Sequence, residues 1–527
     1  MRKFLTLATS LVLSASLTLG AGCSGGGGSS SGGTGEEKPE YLVGSELKKT
    51  DGGRTYLEVQ GAPFLYTGVQ IRADGYTQLD KRPLDEMKEQ FRLASELGVK
   101  CVEVPVSWNE LEPEEDVYNF KKIKTYLEWC KEYDLKLEVL WFAYNSGQSL
   151  EMYVPTYIFD DEERFPQHPS DVKGELWGEQ GRVTFFIMNS PELLRRERKA
   201  IAQLTNFIYE WENQNGNPNV VISYQVHNEV DNYPRWNINS RNVLKADGSG
   251  EKLEQEEAWL EIYESLNSAG TAFKNSKYRA VTRCNLVALR NTDEWKNFAV
   301  RVFNLDGIDM VGDDTYTQSV AEQKLSMANL FSDKFYGGNF AHVAENSGSF
   351  KNSPTLIMSA ITQGAGYLMY CLSMPMFWIQ HESNWDWWEQ GVLNVDWSDK
   401  EHTPRVRTSF AALKKAAEPL AVCEINDMAS FNCETDFPQD DNEQTYSLGG
   451  IDFKMSTKGG GIGYCFVYSG NLYVYADKDF TVTLSDKRIS AVLSGEFKGF
   501  NFSGNSVSAS ENTASLSGDS LYKIEII

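Results

Sequence analysis

Positive charge is what this chain of 527 residues has least of: 50 lysines and arginines face 74 acids, a net charge of -24. Nucleic acids and anionic membrane surfaces are bound through basic clusters, so this balance excludes both as partners and leaves neutral ligands. Metal chemistry is equally short of material, because no CxxC and no clustered His/Cys spacing occurs. No metal and no cofactor is expected. Of the eight cysteines, Cys23 stands apart near the N-terminus, and the odd remainder cannot all pair. Cys101, Cys284 and Cys465 fall inside strand-like runs, which reads as buried free thiols and not as a disulfide framework. The apolar run from Phe4 to Leu19 is too short, and too soon followed by glycine and serine, to span a bilayer.

That run follows Arg2 and Lys3 and ends in small residues, so residues 1–22 read as an export signal. Losing those two cations with the segment takes the net charge from -24 to -26. Leu19-Gly20-Ala21-Gly22-Cys23 resembles a bacterial lipoprotein processing site, which implies lipidation of Cys23. Residues 23–40 are mostly glycine and serine with a few acids, a flexible tether that buries too little to fold. The expectation is an exported protein hung from the extracytoplasmic membrane surface by its lipid, and otherwise free of the membrane.

From Pro63 onward short apolar runs alternate with helical patterns. The strands read as 64–71, 99–106, 136–142, 220–226, 278–284, 307–311, 340–344 and 366–370. Helical periodicity is clear over 83–97, with Met87, Phe91, Ala94 and Leu97 on one face and Gly98 as the stop. It recurs over 120–133, 191–211, 256–273 and 406–421. Eight strand–helix units predict an α/β fold, a (β/α)8 barrel over residues 41–432 with a short N-terminal lead-in. The long aperiodic stretches 143–190, 230–255 and 371–403 all follow a strand, so insertions collect on the face where barrels carry their sites. Beyond the acidic junction at 436–443 the texture changes to short alternating runs between Gly, Asn, Ser and Asp, predicting a C-terminal all-β domain over 433–527.

Two glutamates end apolar runs on that face, Glu229 after Tyr224-Gln225-Val226-His227-Asn228 and Glu345 after His342-Val343-Ala344. Paired carboxylates delivered to one rim are the equipment for cleaving a glycosidic bond. Asn-Glu also occurs at Asn109-Glu110 and Asn442-Glu443, but only Asn228-Glu229 closes a strand. Around the pair, Tyr316 after strand six could donate its hydroxyl to Glu345. Arg72 after strand one could bind a sugar hydroxyl or stabilise a carboxylate. Aromatic content is 12% with 13 tryptophans, which suits stacking on sugar rings. Trp141 ends strand three, and Trp378, Trp385, Trp387 and Trp388 crowd the loop after strand eight. They are candidates for the floor of a sugar subsite.

Three stretches carry a family likeness: Trp108-Asn109-Glu110-Leu111-Glu112-Pro113 with Tyr118-Asn119-Phe120, then Tyr224 to Glu229, then Gln363 to Tyr370. Over roughly 63–421 the chain resembles glycoside hydrolase clan A, and within it most the family 42 and family 35 β-galactosidases. The likeness departs where Tyr224 stands for tryptophan, where Val230 stands for an aromatic, and where strand eight lacks a glycine-rich ending. It implies Glu229 as acid/base, Glu345 as nucleophile, and Asn228 as a partner of the sugar 2-hydroxyl. The activity implied is that of a retaining, exo-acting β-glycosidase with a carbohydrate substrate, its carboxyls about 5 to 5.5 Å apart. An endo-acting β-glycanase of the same clan, mannanase- or glucanase-like, would leave an open groove in place of a pocket. A non-catalytic glycan-binding lipoprotein would not need both glutamates at these two strand ends.

Overall fold

The computed structural model describes residues 40–145, 147–287, 293–330, 342–381, 389–432, 443–457 and 460–527. Cys23, the signal and the tether as far as Pro39 lie outside these residues, as do Trp385, Trp387, Trp388 and residues 436–442. Eight parallel strands close into a barrel: β1 (Thr67–Gln70), β2 (Cys101–Ser107), β3 (Lys136–Asn145), β4 (Val221–Asn228), β5 (Val281–Val287), β6 (Met310–Asp314), β7 (His342–Ser347) and β8 (Gly366–Tyr370). They pair in chain order, with β8 closing on β1. Among the described residues a principal helix follows each strand, with shorter ones beside some of them: α1 (Lys88–Leu97), α2 (Lys121–Glu132), α3 (Pro191–Gln214), α4 (Gln255–Lys274), α5 (Asp293–Phe303), α6 (Val320–Leu330), α7 (Ser353–Thr362) and α8 (Thr403–Lys414). The barrel read from the sequence is the barrel observed. Gly98 ends α1 in the left-handed conformation (φ +96°), the stop its position implied.

Strands five, six and seven run two to three residues later than their apolar runs suggested. Tyr278–Arg279 is extended but pairs with Leu42–Val43 of the lead-in, outside the barrel. Gly307 belongs to the turn, pressed against Asn267 and Thr271 of α4 where a Cβ would collide. At their far ends these strands carry Asn285, Asp314 and Glu345, whose polarity hid the continuation.

The lead-in folds as a hairpin, Glu46–Lys49 against Thr55–Val59, and seals the barrel floor. Leu57, Val59 and Tyr66 pack there on Val281, Val343 and Leu368 from the strands. The layer above is polar where branched apolar side chains usually fill such barrels. Arg283 of β5, Glu103 of β2, Glu138 of β3, Gln70 of β1 and Gln225 of β4 are all buried. Arg283 Nε donates to Glu138 Oε1 at 2.7 Å, and its Nη2 donates to both Glu103 and Gln225. Gln70 donates to Glu103, and the Tyr66 hydroxyl to Glu138. Residue 312 has to be glycine, because a Cβ there would collide with Arg283 Nη1. Two carboxyls share one guanidinium, and burial carries the Glu103 carboxyl up to about 8. The Arg283 guanidinium and the Gln70 amide oppose that rise, and between them they donate to both Glu103 oxygens.

The C-terminal part is a pair of antiparallel sheets. Its strands are β9 (Met428–Asn432), β10 (Glu443–Leu448), β11 (Ile451–Thr457), β12 (Ile462–Tyr468), β13 (Asn471–Ala476), β14 (Phe480–Leu484), β15 (Ile489–Lys498), β16 (Asn501–Val507), β17 (Thr513–Leu516) and β18 (Ser520–Ile526). One sheet runs β9-β12-β13-β18-β15-β16 and the other β10-β11-β14-β17. β9 lies ahead of the boundary expected at 433, since Met428 already pairs with Phe466; the change of sequence texture comes one strand too late to mark it. Alternation along β12 explains the docking: Tyr464 and Phe466 join the barrel-side core, while Cys465 and Val467 join the core between the sheets. The Tyr464 hydroxyl donates to Ala412 O at 2.8 Å, and Arg405 of α8 pairs with Asp477. The six cysteines described are all buried and free. No described helix is long and apolar enough to cross a membrane.

Removing Arg283 from its layer leaves Glu103 and Glu138 buried without their cation. Urea unfolding at pH 7 is expected to show Arg283→Met losing about 3–5 kcal/mol, and Glu103→Gln, which keeps an acceptor for the guanidinium, losing less. Equal losses would contradict a layer that depends on the guanidinium.

Candidate active site

Above the Arg283 layer the strand ends deliver a second polar set. Asn285 of β5 organises it. Its Nδ2 donates to Asn228 Oδ1 and to Asp314 Oδ2, each at 3.0 Å, and its Oδ1 accepts the Glu229 backbone N–H at 3.0 Å. Asn228 is fixed further by Gln225 Nε2 on its Oδ1 and by its own Nδ2 donating to Asn145 Oδ1. The Glu229 carboxyl accepts Asn232 Nδ2 at 3.0 Å.

The chain reaches Glu229 through a strained turn. His227 (φ +59°) and Glu229 (φ +44°) both occupy the left-handed region, which costs a side chain of this kind about 1–3 kcal/mol each. The register between β3 and β4 shifts between Val226 and Asn228, and His227 is thrown outward. There its Nε2 bonds Glu197 of α3 at 2.7 Å, and Trp141 Nε1 donates to the same Glu197 oxygen at 2.9 Å. This outward bracket lets the next two residues face the rim.

Glu345, 3% exposed, pairs with Asp314 in register. Tyr316, itself at φ +38°, donates its hydroxyl to Glu345 Oε1 at 2.6 Å. Oε2 is buried without a hydrogen-bond partner among the described residues. Burial raises the Glu345 carboxyl above its ordinary range, while Arg283, the Tyr316 hydroxyl and Arg72 oppose that rise. Arg72 acts on it through charge alone: its Nε and Nη2 grip Asp74 at 3.1 and 2.9 Å, and Nη1 donates to the Tyr370 hydroxyl at 2.9 Å. The ring of Tyr370 meets that of Tyr316 edge-on, linking the end of β8 to the turn after β6.

The tryptophans expected as a sugar floor are placed otherwise. Trp141 is fully buried between barrel and helices, against Trp108 and Phe273, because its position on β3 alternates outward. Trp378 is 8% exposed, and the Arg72 guanidinium lies 4.1 Å over its ring. Its function in the fold is to hold Arg72. Trp385 lies outside the described residues. Sequence reasoning missed Asn285, Asp314, Tyr370 and Asn145. A signal existed for the first: Arg283 and Asn285 sit two apart in an otherwise apolar strand, on the face that lines the barrel. Among the described residues no cluster of His, Cys, Asp or Glu has the arrangement of a metal site.

Two family models match parts of the chain, one for β-galactosidase (glycoside hydrolase 42) over residues 77–149 and one described as a domain of unknown function, DUF4978, over 261–438. The first covers β2 and β3 with the Trp108–Phe120 element, so the likeness to family 42 read from those residues is met there; the second covers Tyr316 and Glu345. No curated protein matches the chain. Among solved structures it is similar to exo-β-1,4-mannosidase Op5Man5 from Opitutaceae bacterium strain TAV5, at 14% identity and TM-score 0.45, over 71% of this chain and 62% of that one. It is also similar to a polyextremophilic β-galactosidase from the Antarctic haloarchaeon Halorubrum lacusprofundi, at 12% identity and TM-score 0.43, over 66% of this chain and 58% of that one. The matched part is under two thirds of either enzyme's length.

A structural Trp141 has a measurable signature. Trp141→Phe removes the indole N–H from Glu197, so thermal unfolding is expected to show a loss of about 1–2 kcal/mol. A sugar-stacking role would instead leave stability unchanged and weaken ligand binding.

Proposed function

We propose that this protein is a glycoside hydrolase that cleaves β-glycosides with retention, releasing a terminal sugar. The observation that carries the reading is Glu345: one carboxyl oxygen is held by Tyr316, and the other is buried and unpartnered on the rim that also receives Glu229. In the first step Glu345 Oε2 bonds to the anomeric carbon while the bond to the leaving oxygen breaks, and Glu229 gives that oxygen its proton. In the second, Glu229 takes a proton from water, whose oxygen displaces Glu345 from the anomeric carbon. The anion of Glu345 favours a protonated Glu229 at the start; the glycosyl ester removes that anion and frees Glu229 as a base.

The match to the family 42 model supports a β-galactoside as first substrate. Release of a terminal sugar is supported by the three long loops after β3, β4 and β8, which rise on the same side. The first of these folds into a small sheet of its own, Ser149–Leu150, Gln167–His168 and Val183–Phe186. The N-terminal sequence supports export and a lipid anchor on Cys23, with a neutral glycan as the partner of an acidic protein.

Aryl β-glycosides offered to the fragment lacking residues 1–39 are expected to be turned over, with the product's anomeric configuration retained by NMR. Glu345→Ala is expected to abolish turnover, and azide or formate to restore part of it; full activity in that variant would sink the assignment. Tyr316→Phe removes a hydrogen bond that favours the Glu345 carboxylate, so the pKa of that carboxyl rises. The acid limb of the kcat/KM profile should therefore move to higher pH, with a loss of about one to two powers of ten at neutral pH.

A further inference from the structure

Asp314 is the third carboxyl of the rim. It ends β6 between Val287 of β5 and Glu345 of β7, in register with both. The alternation that turns Gly312 toward Arg283 turns Asp314 to the barrel axis as well, one layer higher. The side chain is 2% exposed. Its Oδ2 accepts Asn285 Nδ2 at 3.0 Å, and its Oδ1 is buried with no hydrogen-bond partner among the described residues. A buried carboxyl oxygen left so beside a second one, Glu345 Oε2, calls for an explanation.

The groups facing Asp314 decide what that oxygen carries. Glu345 faces it from β7, Glu229 from beyond β4, Arg283 from β5, and Asp313 adjoins it on its own strand. Three of the four are acids, and the one cation is already shared by Glu103 and Glu138. Burial raises the Asp314 carboxyl well above the usual range, and the charges of Glu345 and Glu229 raise it further. Oδ2 accepts from an amide, so the proton belongs on Oδ1.

We propose that Asp314 is a specificity-determining residue: a neutral carboxylic acid whose Oδ1–H donates to one ring hydroxyl of the sugar held against Glu345. The inference rests on the glycosidase reading and adds to it. A neutral acid supplies a donor beside the nucleophile without adding a second negative charge, which an ionised aspartate would. It also takes its bearing from Asn285, the residue that holds Asn228 and the Glu229 backbone, so the donor, the acid/base and the nucleophile share one frame.

The test compares wild type, Asp314→Asn and Asp314→Ala on the best aryl glycoside and on its four single-deoxy analogues. Wild type should discriminate against one deoxy analogue by roughly 10- to 100-fold in kcat/KM. Asp314→Asn, whose amide N–H can stand where the acid O–H stood, should keep most of that ratio despite a lower absolute rate. Asp314→Ala should reduce it to within about threefold for that analogue alone. Infrared difference spectra between wild type and Asp314→Asn at pH 7 should contain the C=O stretch of a protonated carboxyl. A missing band, or ratios that collapse alike in both variants or in neither, would overturn the inference and leave the glycosidase reading intact. A wild type that cleaves no glycoside would overturn that reading and the inference with it.

Discussion

Everything at the rim is referred to one guanidinium. Arg283 is held in the middle of the barrel by Glu138, Glu103 and Gln225, and each of these comes from a different strand. A buried ion cluster of this kind contributes little net stability, because desolvation offsets most of the Coulomb gain. It imposes geometry instead. Four strands have to present these side chains at one height, so their registers are locked together. On β5 the next residue of the same face, Asn285, then arrives one layer above Arg283.

The site is in this sense built by translation up the strands. Charge is arranged the same way. Arg283 sits below Glu345 and favours its anion from beneath, Arg72 does so from the side, and Tyr316 bonds it from the next strand. Burial works against all three. Burial prevails, and the carboxyl stands above its ordinary range by less than burial alone would raise it. The strained turn at His227 and Glu229 is the cost of bringing a second carboxyl to the same rim, and the outward His227–Glu197–Trp141 bracket is what sustains it.

Strand–helix alternation and the two glutamates were legible because both depend on local pattern. Apolar runs mark strands buried on both faces, and a carboxylate at the end of one is conspicuous. What escaped was the part of each strand that faces the barrel axis. Asn285 and Asp314 look like loop residues because polar side chains interrupt the apolar run, and only the closed barrel shows that they point into a polar layer. Trp141 and Trp378 were misplaced for the opposite reason: composition marks them as able to stack on sugars, but it cannot say which face of a strand they leave from or what already covers their rings. Trp141 leaves from the outer face. Trp378 faces the rim, yet a cation already covers its ring. The C-terminal boundary was read one strand late because β9 follows the last barrel helices without any change in composition.

The alternation along β12 reaches past the docking of two domains. Tyr464 and Phe466 are committed to one neighbour and Cys465 and Val467 to the other, so at β12 neither face is free for water. A C-terminal part cut away from the barrel would expose those two aromatic rings together, and an apolar face of that kind draws copies into association.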